Sequence, residues 1–287
     1  MFRSLFRIPR CRPSAAPRVA AAATAAAVAA RRRLHALPRL NHDFSNGLEG
    51  FMTPEGFSVA WTYRQTSLLE KVNRMVGDTE RDDMDLKTLI LNTAREPSLA
   101  ALFNNASMAY NNNFYFDCLS PTPDVPIPTH LSKELEASFS SIETMRREFI
   151  ITADAMFGPG FIWLVKTGVA DYRLLVTYLA GSPFSGAHWR HQPSDLNTVG
   201  YKGTAYAYFH SMSSIHKDRD LLTPPGGIDV EPLLCLNTWE HAWLHDWGFA
   251  MDGVGGKLHF AESWWRYINW EVVSTRSKIN REFKKDT

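Results

Sequence analysis

The stretch CLNTWEHAWLHD, residues 235–246, contains the features on which the interpretation of the whole chain depends. Its apolar start belongs to a predicted strand over 233–239, and its second half predicts a helix near 240–247. His241 and His245 stand four residues apart, so a helix places both imidazoles on one face. The order EHxxxH differs from the HExxH order of zinc peptidases, and we therefore expect no independent zinc site.

The composition is that of a globular protein. The chain has 287 residues, of which 45% are hydrophobic and 12% aromatic, enough for one large domain or two small ones. None of the three cysteines lies in a CxxC pair, so neither a disulfide framework nor a zinc finger is expected. Cys118 and Cys235, which have apolar or aromatic neighbours, are predicted to be buried, inert thiols.

The first 35 residues differ in charge from the rest. They are rich in alanine and contain eight arginines and no acidic residue, a pattern typical of a mitochondrial presequence, which we predict over 1–35. Their apolar run, at 12 residues, is too short to cross a membrane. Without those eight arginines, 23 of the 31 basic residues remain against 30 acidic ones, a net charge of about −7. Such a body argues against broad binding to nucleic-acid phosphates.

Residues 36–120 are predicted to form a helical hairpin domain. The apolar spacing indicates three helices, over 54–76, 86–93 and 97–117. The four prolines of PTPDVPIPTH, residues 121–130, fix the backbone and remove donors, which indicates a stiff linker between two domains.

Residues 131–287 are predicted to form a second domain that contains both helices and strands. Apolar residues from Leu131 to Met156 recur at steps of three and four, which predicts one long helix. Strands are predicted over 161–167, 172–181 and 233–239, and a closing helix over 258–282. Residues 182–232 are weakly patterned and are interpreted as an insertion.

Several motifs, in the same order along the chain, resemble those of the iron/manganese superoxide dismutase family. They are LPRLNHD (37–43), LE (48–49), FNN (103–105), FYF (114–116), LSP (119–121), GPGFIWL (158–164), NTWEHA (237–242) and INWEVV (268–273). The resemblance runs from residue 37 to about 275, apart from the insertion. It implies an α+β fold, in which a helical N-terminal hairpin precedes an α/β domain with a small three-stranded antiparallel sheet.

The same resemblance implies where a metal would lie. The family holds its metal with three histidines and one aspartate, and these positions fall on Ala60, on Asn111 or Asn112, on Asn237 and on His241. Only His241 matches. Methyl and neutral amide groups do not replace imidazole nitrogens and a carboxylate around a redox metal. We therefore expect no metal, no other cofactor and no catalytic residue.

The positions that surround the metal in the family also differ here. Its gateway histidine and tyrosine fall on Arg64 and Leu68, and its solvent-binding glutamine falls near Gly181. In the family, the glutamate of the WEH motif reaches across a dimer interface to the partner's ligand histidine. The resemblance therefore makes Glu240 and His241 candidates for a dimer interface. The alternative is that His241 is a core histidine satisfied within its own chain.

Metal-free members of this family with presequences resemble fungal mitochondrial ribosomal proteins of the small subunit. The resemblance implies a structural component that supports mitochondrial translation in the matrix. Its expected partners are other small-subunit proteins, including a second dismutase-like subunit as a heterodimer, with limited or local rRNA contact and no membrane contact. Ribosome-specific contacts are expected from the insertion, which contains Trp189, Arg190, His191 and Lys202. The alternatives are an active mitochondrial superoxide dismutase or an inactive regulator of one.

Overall fold

The computed structural model describes residues 35–77, 79–94, 96–188, 230–250 and 253–278. The predicted presequence lies outside these residues, except for its last one. Most of the predicted insertion, with Trp189, Arg190, His191 and Lys202, also lies outside them.

Helices make up most of residues 54–117. Their order is α1 (Pro54–Phe57), a π-helical segment (Ser58–Tyr63), α2 (Arg64–Val76), α3 (Leu86–Thr93), a 3₁₀ turn (Pro97–Leu99) and α4 (Ala100–Asp117). Helices α2 and α3 both pack against α4. The helices predicted over 86–93 and 97–117 are confirmed, the latter with a 3₁₀ start. The helix predicted over 54–76 is not uniform, because its π-helical segment contains one wider turn.

Two helices, α5 (Thr129–Phe139) and α6 (Ile142–Ala155), replace the single helix predicted from Leu131 to Met156. The prediction of one helix was wrong because Ser140 has a φ of 68°, which ends α5. The hydroxyl of Ser141 then accepts a hydrogen bond from the Thr144 amide at 3.0 Å, which caps the start of α6. The apolar repeat continues across this break, so periodicity alone does not reveal it.

The sheet consists of three antiparallel strands in the order β2–β1–β3. They are β1 (Gly160–Lys166), β2 (Tyr172–Tyr178) and β3 (Glu231–Asn237). In the register, Phe161 of β1 lies opposite Thr177 on one side and Asn237 on the other. Every residue of the central strand is buried. The predicted three-stranded antiparallel sheet is confirmed, and with the helices it makes an α+β fold.

The remaining helices are α7 (Ser185–His188), α8 (Glu240–Trp247), α9 (Gly256–Arg266) and α10 (Trp270–Ser277). The helix predicted near 240–247 is confirmed. The single closing helix predicted over 258–282 was wrong, because the backbone between α9 and α10 pairs with another part of the chain. Ile268 forms a bridge with Leu119, and the Asn269 amide donates to the Cys118 carbonyl at 2.8 Å.

One large core contains residues from Phe44 to Val273, on both sides of the proline-rich segment. Its largest fully buried side chains include Trp163, Trp264 and Tyr115. The prediction for Cys118 and Cys235 is confirmed, because both are buried and free. Among the described residues, no helix is long and apolar enough to cross a membrane.

Candidate functional site

The structure brings together four of the positions that the sequence singles out. The side chain of Asn112 on α4 donates to the Ala60 carbonyl at 3.1 Å. The Asn237 amide at the end of β3 donates to Asn112 Oδ1 at 3.1 Å, and its Nδ2 lies 3.5 Å from His241 Nε2. We call this group, with Gln65, the amide cluster.

Asn111 and Asn112, the two alternatives for one ligand position, have different environments. Asn112 belongs to the amide cluster, whereas the side chain of Asn111 donates to the Gly181 carbonyl at 2.9 Å. Asn111 Oδ1 is buried and has no hydrogen-bond partner. The cluster therefore includes Asn112 and leaves Asn111 outside.

Gln65 is the member of the cluster that the sequence reasoning missed. It is fully buried on α2, where its Nε2 donates to the Ala109 carbonyl at 2.9 Å. Its Oε1 accepts from Asn112 Nδ2 at 3.1 Å. The available signal was a lone polar residue on the α2 face that otherwise buries Leu68, Leu69, Val72 and Val76.

Asn237 also explains why the strand ends and the next helix begins. Its Oδ1 accepts a hydrogen bond from the Trp239 amide at 2.9 Å, which turns the chain out of β3. This turn places His241 in the first turn of α8, next to the cluster. One neutral amide therefore joins the cluster and also fixes the corner that presents the neighbouring histidine.

His241 is held as a neutral imidazole. Burial, and secondly the positive charge of Arg64, lower the pKa of His241 to about 3. Its ring centroid lies 5.9 Å from that of Trp239. Asn237 Nδ2, which can only donate, lies 3.5 Å from His241 Nε2, so the contact favours the tautomer that accepts at Nε2.

The residues expected at the family's gateway and solvent-binding positions have different surroundings from one another. The Arg64 guanidinium lies over the Trp239 ring, 5.7 Å from its centroid. Leu68 is buried in the core. Gly181 contributes only its backbone carbonyl, to Asn111.

The other polar residues of the opening stretch lie apart from the cluster. Glu240 and His245 are exposed on α8. The Asp246 carboxylate instead accepts hydrogen bonds from Thr53, from Oγ1 at 2.6 Å and from the backbone amide at 3.2 Å. The expected interface roles of Glu240 and His241 stay predictions.

The residues of the cluster do not fit a redox metal. In the part of the chain that the structure describes, no group of three or more histidine, cysteine, aspartate or glutamate side chains could hold a metal ion. The cluster offers one imidazole, neutral amides and a methyl group. Its amide oxygens already accept hydrogen bonds, Asn112 Oδ1 from Asn237 and Asn237 Oδ1 from the Trp239 amide. Such a set lacks the anionic oxygen and the several nitrogens that iron and manganese require.

Comparison with known proteins supports the resemblance. Residues 197–276 match the model of the C-terminal domain of iron/manganese superoxide dismutases. Small ribosomal subunit protein mS43 of Schizosaccharomyces pombe is 27% identical over 250 residues, which cover 84% of this chain and 84% of that protein. Small ribosomal subunit protein mS42 of the same organism is 28% identical over 199 residues, which cover 67% of this chain and 74% of that protein.

An enzyme is also among the similar proteins. The iron superoxide dismutase of Campylobacter jejuni is 26% identical over 245 residues, which cover 83% of this chain and 87% of that protein. The α+β fold, the order of the motifs and these matches agree with one another. In sequence and in fold, the chain is therefore similar to the iron/manganese superoxide dismutases and to the two small ribosomal subunit proteins.

Proposed function

We propose that this chain is a structural component of the small subunit of the mitochondrial ribosome and catalyses no reaction. The amide cluster is the observation that carries this proposal. The resemblance puts three of the four ligand positions on Ala60, on Asn111 or Asn112 and on Asn237. The hydrogen bonds that join Ala60, Asn112 and Asn237 support the proposal, because they satisfy these groups without a metal. A site of this kind stabilises the fold but has no means of redox chemistry.

The relatives support the ribosomal part of the proposal. Proteins mS43 and mS42 are both named as small ribosomal subunit proteins, and they match 84% and 67% of this chain. The basic, acid-free residues 1–35 support transport into the mitochondrial matrix. Two similar relatives in one organism support pairing with a second dismutase-like subunit. The acidic body favours protein neighbours over rRNA.

Sedimentation of a tagged copy in a mitochondrial lysate tests this proposal. The lysate is separated at a magnesium concentration that keeps the ribosome whole and at one that splits it. We expect the chain to migrate with the small subunit in both conditions. A tagged large-subunit protein serves as the control, since it leaves the small subunit when the ribosome splits. Migration as a free species in both conditions would overturn the proposal.

The second candidate is a mitochondrial superoxide dismutase, which the similarity to the Campylobacter jejuni enzyme favours. It requires about one iron or manganese per chain. We expect the purified protein to contain far less than one metal ion per chain. We also expect it to show no dismutase activity that depends on His241. Metal near one per chain, together with activity lost in His241→Ala, would establish the enzyme instead. A chain that sediments apart from the ribosome and contains no metal would instead support an inactive regulator of a dismutase.

A further inference from the structure

Helix α4 contains three buried polar atoms that have no hydrogen-bond partner among the described residues. They are Ser107 Oγ, Asn111 Oδ1 and Tyr115 Oη. All three residues are 0% exposed. In the described part of the chain, Trp264 is the one other residue of 0% exposure with such an atom. The fully buried groups that lack a partner are therefore concentrated on one helix.

The spacing of these residues places them on one face of α4. They follow one another at steps of four, so each lies one helical turn from the next. We call Ser107, Asn111 and Tyr115 the polar stripe. Helix α4 packs against β3, and the Asn111 amide donates to the carbonyl of Gly181, which follows β2, at 2.9 Å. The polar stripe therefore lies between α4 and the sheet.

The chain itself does not satisfy these atoms. Turning the Asn111 side chain over would only place its oxygen against the Gly181 carbonyl, which cannot donate. A helical hydroxyl can bond to the carbonyl four residues earlier, as Thr93 does to Leu89 at 2.6 Å. Ser107 makes no such bond. Because a buried polar group without a partner destabilises a fold, these atoms require a ligand inside the core.

The hydroxyl of Tyr115 is a neutral group that can both donate and accept. Burial, and next the neighbouring Cys235 of β3, raise the pKa of Tyr115, so the hydroxyl keeps its proton. Ser107 Oγ has the same two capacities, whereas Asn111 Oδ1 only accepts. A ligand of all three must therefore contain both a donor and an acceptor.

We propose that ordered water molecules bind the polar stripe between α4 and the sheet. Water donates and accepts, and it is small enough for the packed interior in which these residues lie. Cβ atoms one helical turn apart are separated by about 5–6 Å. Two hydrogen bonds through one water oxygen span about the same distance, so one water fits between neighbouring members of the stripe. Such a site is independent of the ribosomal role, because it belongs to the interior of the chain.

A crystal structure of the purified full chain, at a resolution that shows ordered water, tests the proposal directly. We expect a water about 2.8 Å from Tyr115 Oη and another at that distance from Asn111 Oδ1. The surroundings of Phe116 serve as the control. This residue is 1% exposed on another face of α4, against the Trp61 ring, and we expect no water beside it.

The variant Tyr115→Phe, which removes one oxygen atom, tests the energetics. If the hydroxyl binds water, the equilibrium constant of unfolding should stay the same or rise by up to about fivefold. If the hydroxyl were dry and unpaired, its removal would lower that constant at least about fivefold. Phe116→Tyr, which adds a hydroxyl to an apolar part of the core, should raise the constant about tenfold or more.

Three results would overturn the proposal. The first is a crystal structure in which Tyr115 Oη or Asn111 Oδ1 has no water at hydrogen-bond distance. The second is a Ser107 hydroxyl that turns to the Phe103 carbonyl, four residues earlier. The third is a Tyr115→Phe protein that is more stable than the wild type. None of these results depends on whether the chain sediments with the small subunit.

Discussion

Two polar contacts lie where α4 packs against β3. One joins neutral side chains, and the other is made by a charged side chain. At the end of β3, Asn112 and Asn237 join through neutral amides. Near its start, the Arg276 guanidinium donates to Cys118 Sγ at 2.9 Å and to the Leu233 carbonyl at 3.2 Å. It also lies 3.9 Å from the centroid of the Phe114 ring. The neutral contact spreads its hydrogen bonds over several residues, whereas the charged contact depends on one side chain.

This difference shows how buried polar side chains are satisfied without a charge. A buried carboxylate or imidazolium would need a metal or a counter-charge, but an amide needs only a donor and an acceptor. Asn112 uses both, towards Gln65, Ala60 and Asn237. The neutral amides of the cluster therefore stabilise the fold through hydrogen bonds to one another.

The largest effect is expected from the neutral contact. Asn112→Leu keeps the volume of the side chain but leaves Gln65 Oε1 and the Ala60 carbonyl without the bonds they accept from it. We expect the free energy of unfolding, measured by urea denaturation, to fall by about 3 kcal/mol. Asn111→Leu is the matched control. It loses one hydrogen bond but also removes the unpaired Oδ1, so its loss should stay under about 1 kcal/mol. Equal losses would contradict the assignment of Asn112 to the cluster.

The charged contact is expected to contribute less. Arg276→Met keeps much of the apolar stem but removes two hydrogen bonds and the contact with the Phe114 ring. We expect a loss of about 2 kcal/mol in the same urea measurement. Arg266→Met is the comparison, because it breaks the exposed ion pair with Asp124 at 2.8 Å, which solvent screens, and should therefore cost clearly less. If both variants lose the same amount, burial of Arg276 adds nothing.

A smaller effect, which depends on pH, is expected at His241. Its folded pKa of about 3 lies below the ordinary value of 6.5, so the unfolded chain takes up the proton first as pH falls. The stability is therefore fully present above pH 6.5 and is lost progressively from there towards pH 3. Between pH 7 and pH 5, the wild type should lose about 1–2 kcal/mol more than His241→Gln. A His241→Gln curve parallel to that of the wild type would contradict a neutral, half-buried imidazole at His241.

The sequence predicted those elements whose apolar residues recur at regular spacing or that contain a motif. The strands, α8 and the approach of Asn237 to His241 follow from apolar patterning and from the WEH segment. It did not predict the break at Ser140, because serine caps act locally while the apolar repeat runs on across them. It missed Gln65, because a single buried amide is recognised only when its distant partners, such as Ala109 and Asn112, are known. That Asn112, and not Asn111, joins Gln65 and Asn237 was visible only in the structure for the same reason.

The π-helical segment Ser58–Tyr63 accommodates an additional residue between two parts of the chain that are held by hydrogen bonds. One is Gln65, which is tied to α4, and the other is Thr53, which is tied to Asp246 on α8. A wider turn accommodates one residue more than a regular helix does. Deleting one residue there would restore an α-helix but rotate α1 by about 100° around its axis, because each residue of an α-helix turns by that angle. Alignments with relatives of different length should therefore place a one-residue gap within 58–63, where the fold absorbs the additional residue.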